Sequence, residues 1–217
     1  MKLEKMGEFF DARLEGYDDH QLNCIVSARE FYPFTARQLP NHPNAKILDL
    51  GCGTGLELEE YFRIQPTAQV TGIDLAPGML NTLKQKFPQQ HLTLLCGSYF
   101  TLPFPAVAFD AAVSVESLHH FTKEEKIPLY QKVRKALQPN GYFLITDYFS
   151  LSNTEEEEHR ATLERLKAEQ GLDPHTFYHY DTPLTVEHEI EALTAAGFSN
   201  VQVLGSWGAT HTLKAIY

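Results

Sequence analysis

Cysteine is scarce in this chain: Cys24, Cys52 and Cys96 are all it has in 217 residues. An odd number with no Cys-x-x-Cys spacing argues against a disulfide framework and a cysteine-built zinc site, and favours a reducing cytoplasm. Long apolar runs are missing too. None approaches the roughly 20 residues that a membrane-spanning helix needs, and the charged start, MKLEKMGEFFDARLEGYDD, lacks the pattern of a signal peptide. Positive charge is in deficit, with 18 Lys and Arg against 28 Asp and Glu, a net −10. Nucleic-acid binding draws much of its affinity from a basic face, so the balance speaks against such a partner. The one dense charge run, TEEEEH at 154–159, is acidic. It is expected to open a helix, with Thr154 as N-cap and glutamates where the helix dipole favours them.

What is present is enough for one well-filled core. A composition of 43% hydrophobic and 21% charged residues is ordinary for a globular domain. Residues 1–40 read as helical, with Phe9, Phe10 and Leu14 on one apolar face. From Lys46 the pattern alternates: strands at 46–50, 69–73, 91–96, 109–115 and 142–146, and helices at 56–64, 77–87 and 123–137. Alternation at this spacing predicts βαβ units and a parallel sheet covered on both faces. The rhythm breaks at 148–184, expected to be mostly helical, then resumes with a helix at 186–196 closed by Gly197. Two closely spaced strands, 201–204 and 210–216, complete the chain as an antiparallel pair. The expected organisation is a single domain, 1–217, with 1–40 as a helical N-terminal cap and 148–184 as a helical insertion acting as a lid.

The stretch ILDLGCGTGLELEEYF, 47–62, carries the most chemistry. A strand ends in Gly51, Gly53 and Gly55, where missing side chains let a ligand approach the backbone. In open parallel sheets, ligands bind beyond the carboxyl ends of the strands. Asp74, nineteen residues after Gly55, ends the second strand, where a carboxylate can accept both hydroxyls of a ribose. A nucleoside-bearing cofactor follows. The dinucleotide signature GxGxxG is not met, since residue 56 is Leu, and there is no GxxxxGK[ST] for a triphosphate. Asp49, close to the loop, suits an ammonium group better than a pyrophosphate.

ILDLGCGTG followed by VTGIDLAPGMLNTLKQKF resembles the class I S-adenosylmethionine-dependent methyltransferases. GSYFTLPFPAVAFDAAVSVESLHHF, LQPNGYFLITDY and LTAAGFSNVQVL match in the expected order, so the resemblance covers about residues 9–217. It implies a Rossmann-like α/β fold: seven strands, mostly parallel with the last antiparallel, and helices on both faces. It implies S-adenosylmethionine as cofactor, its methionine end on Gly51, Cys52, Gly53 and Gly55, with Asp49 serving the ammonium. Asp74 would hold the ribose, Leu75 and Met79 would lie along the adenosine, and Val115 would supply backbone near the sulfonium. Many relatives place an acidic residue on the adenine amino group; here the segment is CGSYF, leaving Ser98 and Tyr99 as the adenine contacts.

Methyl transfer needs alignment first and a base only for some acceptors. His119 and His120, in ESLHHF, follow the fourth strand, where a histidine can take a proton near neutral pH. The bland alternative packs one under the loop and leaves the other solvated. Tyr17, in EGYDDH, resembles the N-terminal tyrosine that closes over the cofactor in relatives. His175 and His179 are four apart and could share a metal on a helix; surface histidines are the commoner outcome, and no metal is expected. The leading expectation is methyl transfer to a small-molecule acceptor. Alternatives are a tRNA-modifying enzyme of the wobble-uridine type, a non-catalytic cofactor-binding module and, more remotely, a nicotinamide oxidoreductase. Neither the acceptor atom nor the choice between monomer and homodimer follows from these residues.

Overall fold

A computed structural model describes residues 1–217. Its centre is a seven-stranded sheet. The strands are β1 (Lys46–Leu50), β2 (Gln69–Asp74), β3 (His91–Cys96), β4 (Phe109–Val115), β5 (Leu137–Tyr148), β6 (Asn200–Trp207) and β7 (Thr210–Ile216), in the spatial order β3-β2-β1-β4-β5-β7-β6. Pairing is parallel from β3 through β5, and β7 runs antiparallel to both β5 and β6. The order reverses between β1 and β4, so the loops after these two strands open a crevice at the carboxyl edge, the ligand position of this sheet type.

Period-two alternation sorts the strand residues into two cores. Ile47, Val70, Ala111 and Val113 face one helix layer, with Phe31 of α3 (Ala28–Gln38), Tyr61 of α4 (Leu56–Ile64) and Leu83 of α5 (Pro77–Lys86). Leu48, Leu50, Ile73 and Ala112 face the other, with Leu129 and Val133 of α6 (Lys123–Ala136) and Leu193 of α8 (Val186–Ala195). A buried ion pair crosses α6 and α8: Lys126 Nζ donates to Glu189 Oε2 at 2.6 Å, and Tyr130 Oη donates to Oε1. No helix is long and apolar enough to cross a membrane.

The sheet begins and ends where its pattern predicts, but several boundaries move. The QPNG stretch does not simply end a helix. β5 already starts at Leu137, and its register against β4 shifts between Phe109 and Ala111. Asn140, at φ +67°, absorbs the bulge. β6 is longer than expected, running to Trp207 past a second shift between Val203 and Gly205. The acidic helix, α7 (Asn153–Glu169), is capped by Ser152 rather than Thr154; Ser152 Oγ accepts from the Glu155 N–H. Helix accounts for only part of the 148–184 insertion: residues 170–184 are irregular, held by a turn at Pro174 and backbone bonds to neighbouring segments.

Residues 1–24 and the insertion form one continuous cover. Lys5 bridges Tyr178, Met6 N donates to Phe177 O at 3.0 Å, and His179 N donates to Glu4 O at 2.9 Å. Leu3, Leu166 and Tyr178 make a small apolar cluster of their own. The first two helices, α1 (Met6–Asp11) and α2 (Tyr17–Cys24), are short, and α2 buries none of its residues. The cover is fastened to the sheet's edge by few polar ties. Asp11 Oδ1 accepts from Gly78 N at 2.9 Å, and Asp18 accepts from Lys86 Nζ at 2.8 Å and from Thr54 Oγ1.

Candidate functional site

The glycine loop after β1 is shaped by its surroundings. Gly51 has φ +73°, and a Cβ there would fall 2.0 Å from Ser117 Oγ, so the backbone must be bare where the loops after β1 and β4 touch. Gly53, at φ +47°, has open space where its Cβ would point, with Tyr17 Oη the nearest atom at 3.9 Å. Gly55 packs on Leu83 and Phe87, and Cys52 turns its sulfur onto Gly72 of β2. These two therefore hold the loop's shape rather than line the crevice. Asp74 binds the loop in place, with Oδ2 accepting from Gly53 N at 2.9 Å and Oδ1 from Ala76 N at 2.8 Å. Each oxygen keeps a second lone pair for a ligand hydroxyl.

A narrow slot results, lined by Gly51, Gly53, Asp74, Leu75, Met79, Tyr99 and Val115 and roofed by Met6, Phe10 and Tyr17. Ser98 lies outside that lining; its Oγ accepts from Phe100 N at 3.2 Å. Asp49 sits below the loop, 1% exposed, beside the equally buried Glu57 of α4. Burial lifts both carboxyls above the usual range, and the Glu57 charge adds to the rise at Asp49, which lies far above it. Asp49 Oδ2 and Glu57 Oε1 have no hydrogen-bond partner. Two adjacent buried acids with unused oxygens are held by one shared proton or by a cationic ligand group. Glu57 was missed in the sequence because a glutamate in a helix's first turn looks like an exposed dipole partner.

The slot adjoins a larger cavity of about 790 Å³, and Phe10, Tyr17, Glu116 and His120 line both. The larger one is walled by Phe9, Tyr148, His119, His179 and Asp181, with Arg13 and Glu15 at its rim. His119 and His120 sit on a 3-10 turn, Leu118–His120, pinned from below by Asp147 of β5. Asp147 Oδ2 accepts from the backbone N–H of Leu118 at 2.8 Å and of His119 at 3.1 Å, and Oδ1 contacts His119 Nδ1 at 2.5 Å. Burial alone would lower His119; the Asp147 carboxylate overrides it and lifts the imidazole to about 9. His120 differs. Burial and the neighbouring His119 charge lower it, so its ring is neutral at pH 7. Burial likewise raises the Tyr17 phenol far beyond physiological pH, so Tyr17 serves as a hydroxyl and not as a phenolate.

The aromatic stretch FYHYDTPLT contributes to this cavity through His179, stacked on Phe9 at 3.5 Å, and Asp181. His175 and His179 lie on irregular chain, so they share no helix face. Trp207 packs against Phe31 and Phe34, away from the site. Asp181, which no motif marks in the sequence, is brought beside both ESLHHF histidines, 3.1 Å from His120 Nδ1 and 3.6 Å from His119 Nε2.

Comparison with known proteins agrees with this geometry. A family model described as a methyltransferase domain matches residues 48–145. The chain is 31% identical to a 2-phytyl-1,4-naphtoquinone methyltransferase of Nostoc sp., over 69% of this chain and 67% of that protein. It is 30% identical to the phosphoethanolamine N-methyltransferase of Plasmodium falciparum, over 73% and 55% respectively. The chain spans about half the length, or less, of several such relatives. Human N-acetylserotonin methyltransferase, solved in complex with SAM, superposes with a TM-score of 0.63 at 20% identity, over 96% of this chain and 55% of that one; it shares the fold. The chain belongs to the class I S-adenosylmethionine-dependent methyltransferase family.

Proposed function

We propose that the protein transfers a methyl group from S-adenosylmethionine to a small-molecule acceptor. One observation carries the reading: the glycine-loop slot and the larger cavity share four lining residues, so a donor in one meets an acceptor in the other. The residues present fit the cofactor. Asp74 has free lone pairs for ribose hydroxyls, Gly51 and Gly53 leave bare backbone, and the unpartnered Asp49 and Glu57 oxygens suit an ammonium. When bound, the cofactor supplies a methyl group on a sulfonium, displaced in line by a lone pair of the acceptor. The chain's own part is to align, to exclude water and to move a proton. Neutral His120, at the junction of the two cavities, is the proton acceptor; His119, a cation held by Asp147, fixes the turn on which His120 sits.

The slot as it stands holds about 50 Å³, far below the roughly 300 Å³ of an ordinary ligand pocket, because Met6, Phe10 and Tyr17 roof it. Entry of a nucleoside therefore requires residues 1–24 to lift, and the few ties of that segment permit it. A net charge of −10 supports a small molecule over tRNA. The three free cysteines suit the cytoplasm, which is the location we propose. The test is calorimetry with S-adenosylhomocysteine and hydrogen exchange with and without it. Binding should slow exchange across residues 1–24 more than in β1 or β4. Failure of the cofactor product to bind would sink the reading.

A further inference from the structure

We infer that the acceptor is an amine, its ammonium or amino nitrogen held between Glu116 and Asp181. The inference rests on the methyltransferase reading and names the substrate class of the same site. It starts from two atoms. Glu116 Oε1 and Asp181 Oδ1 are both buried, both belong to residues lining the larger cavity, and neither has a hydrogen-bond partner with acceptable geometry. Asp181 Oδ1 is 3.1 Å from His120 Nδ1, which has the Tyr180 carbonyl at 3.2 Å as an alternative acceptor. A buried carboxylate oxygen left unpaired is costly, and what it lacks is a donor or a cation.

His119 is common to two close clusters, one with Glu116 and Asp147 and the other with His120 and Asp181. The His119 charge is already neutralised through Asp147. Among the remaining side chains of the cavity, Arg13 is turned to Glu4 at 2.8 Å and lies over the Phe9 ring, so it does not serve the two acids. Glu116 stands where the cavity meets the cofactor slot, and Asp181 stands in the cavity wall beside the histidines.

Glu116 is placed there at a cost. It is a non-glycine residue at φ +50°, with its N–H held by the Thr146 carbonyl at 2.8 Å, and such backbone strain persists where the surroundings impose it. Burial, reinforced by the Asp147 charge, pushes its carboxyl up to about 8. A cationic group beside it reverses that penalty, so Glu116 ionises as the ammonium arrives. An alcohol or phenol acceptor could give one hydrogen bond to one of the oxygens. An ammonium gives up to three and brings a positive charge to Glu116. Phe9, Phe10, Tyr17 and Tyr148 supply apolar and π surface for its stem.

The test uses matched probes on the full chain saturated with S-adenosylhomocysteine: 2-phenylethylamine against 2-phenylethanol, and ethanolamine against ethylene glycol, by calorimetry at pH 7.5. The amine of at least one pair should bind about tenfold or more tighter than its alcohol, as expected for charge-assisted bonds. Glu116→Gln and Asp181→Asn should each remove most of that preference, and Asp181→Asn, at a residue that lines only the larger cavity, should leave S-adenosylhomocysteine affinity within about twofold. Asp181 is partly exposed, so its variant tests the site even if Glu116→Gln folds poorly. Alcohols binding as well as amines, no amine binding to cofactor-loaded protein, or a preference that survives Asp181→Asn would overturn the inference. Saturable zinc binding lost in Asp181→Asn would also overturn it, by giving the orphan oxygen a metal partner. If S-adenosylhomocysteine itself fails to bind, the methyltransferase reading falls instead.

Discussion

The slot and the cavity beside it are built in opposite ways. The slot is mostly backbone and apolar surface: a loop locked by Asp74, bare at Gly51 and Gly53, with Asp74 and Glu116 in its wall and the Asp49–Glu57 pair buried outside it. The cavity is lined by ionisable side chains from four separate parts of the chain: the N-terminal segment, the 3-10 turn after β4, the end of β5 and the irregular residues before α8. A rigid backbone site suits a ligand that never changes. A site made of side chains from separate segments can be altered without touching the first, which is how one fold serves many acceptors.

Breaking the cavity's anchor should have the largest effect. Asp147→Ala removes the partner of a buried His119 cation and two backbone acceptor bonds, and should cost about 3–5 kcal/mol of stability in urea unfolding. If the two halves are independent, the folded fraction should still bind S-adenosylhomocysteine. Gly51→Ala attacks the other half. A Cβ 2.0 Å from Ser117 Oγ, at a positive φ, should cost about 3 kcal/mol and abolish measurable cofactor binding. Asp74→Ala should be milder for the fold yet lower S-adenosylhomocysteine affinity by about tenfold or more, since charge-assisted bonds contribute roughly 1.5–3 kcal/mol. Affinity unchanged in calorimetry would remove Asp74 from the ribose.

Acidity separates the halves too. His119 titrates at about 9 in the fold against an ordinary 6.5, so its pairing stabilises fully below about pH 6.5 and is lost as pH rises through 9. Asp147 is held below its ordinary 3.8, so its share is present above that value and lost as pH falls further. The melting temperature should therefore fall between pH 7 and 10, and by less in His119→Gln; equal slopes would refute the ion pair. The smallest effect should come from Ser98→Ala. With Ser98 Oγ turned to Phe100 N and outside the slot lining, stability should shift by less than about 0.5 kcal/mol. A several-fold loss of cofactor affinity there would instead make Ser98 an adenine contact.

The sequence by itself determined the sheet and the floor of the slot. Their signals are local: period-two alternation in ILDL and FDAAVSV, glycines at a strand end, and an acid at the end of the next strand. Boundaries slipped only where the cause is not local, as at the bulge absorbed by Asn140 and the longer β6 that pairs with β7. Tertiary structure alone decided the rest. Nothing near Glu57 in sequence says that it will lie against Asp49. Nothing in YHYDTP says that Asp181 will stand beside histidines some sixty positions earlier, or that Phe9 will stack on His179. Histidines 119 and 120 are adjacent and chemically identical in the sequence. Only packing gives one a buried carboxylate on its Nδ1 and the other a neutral ring at the cavity junction, because charge state follows from burial and neighbouring charge, which the order of residues does not state.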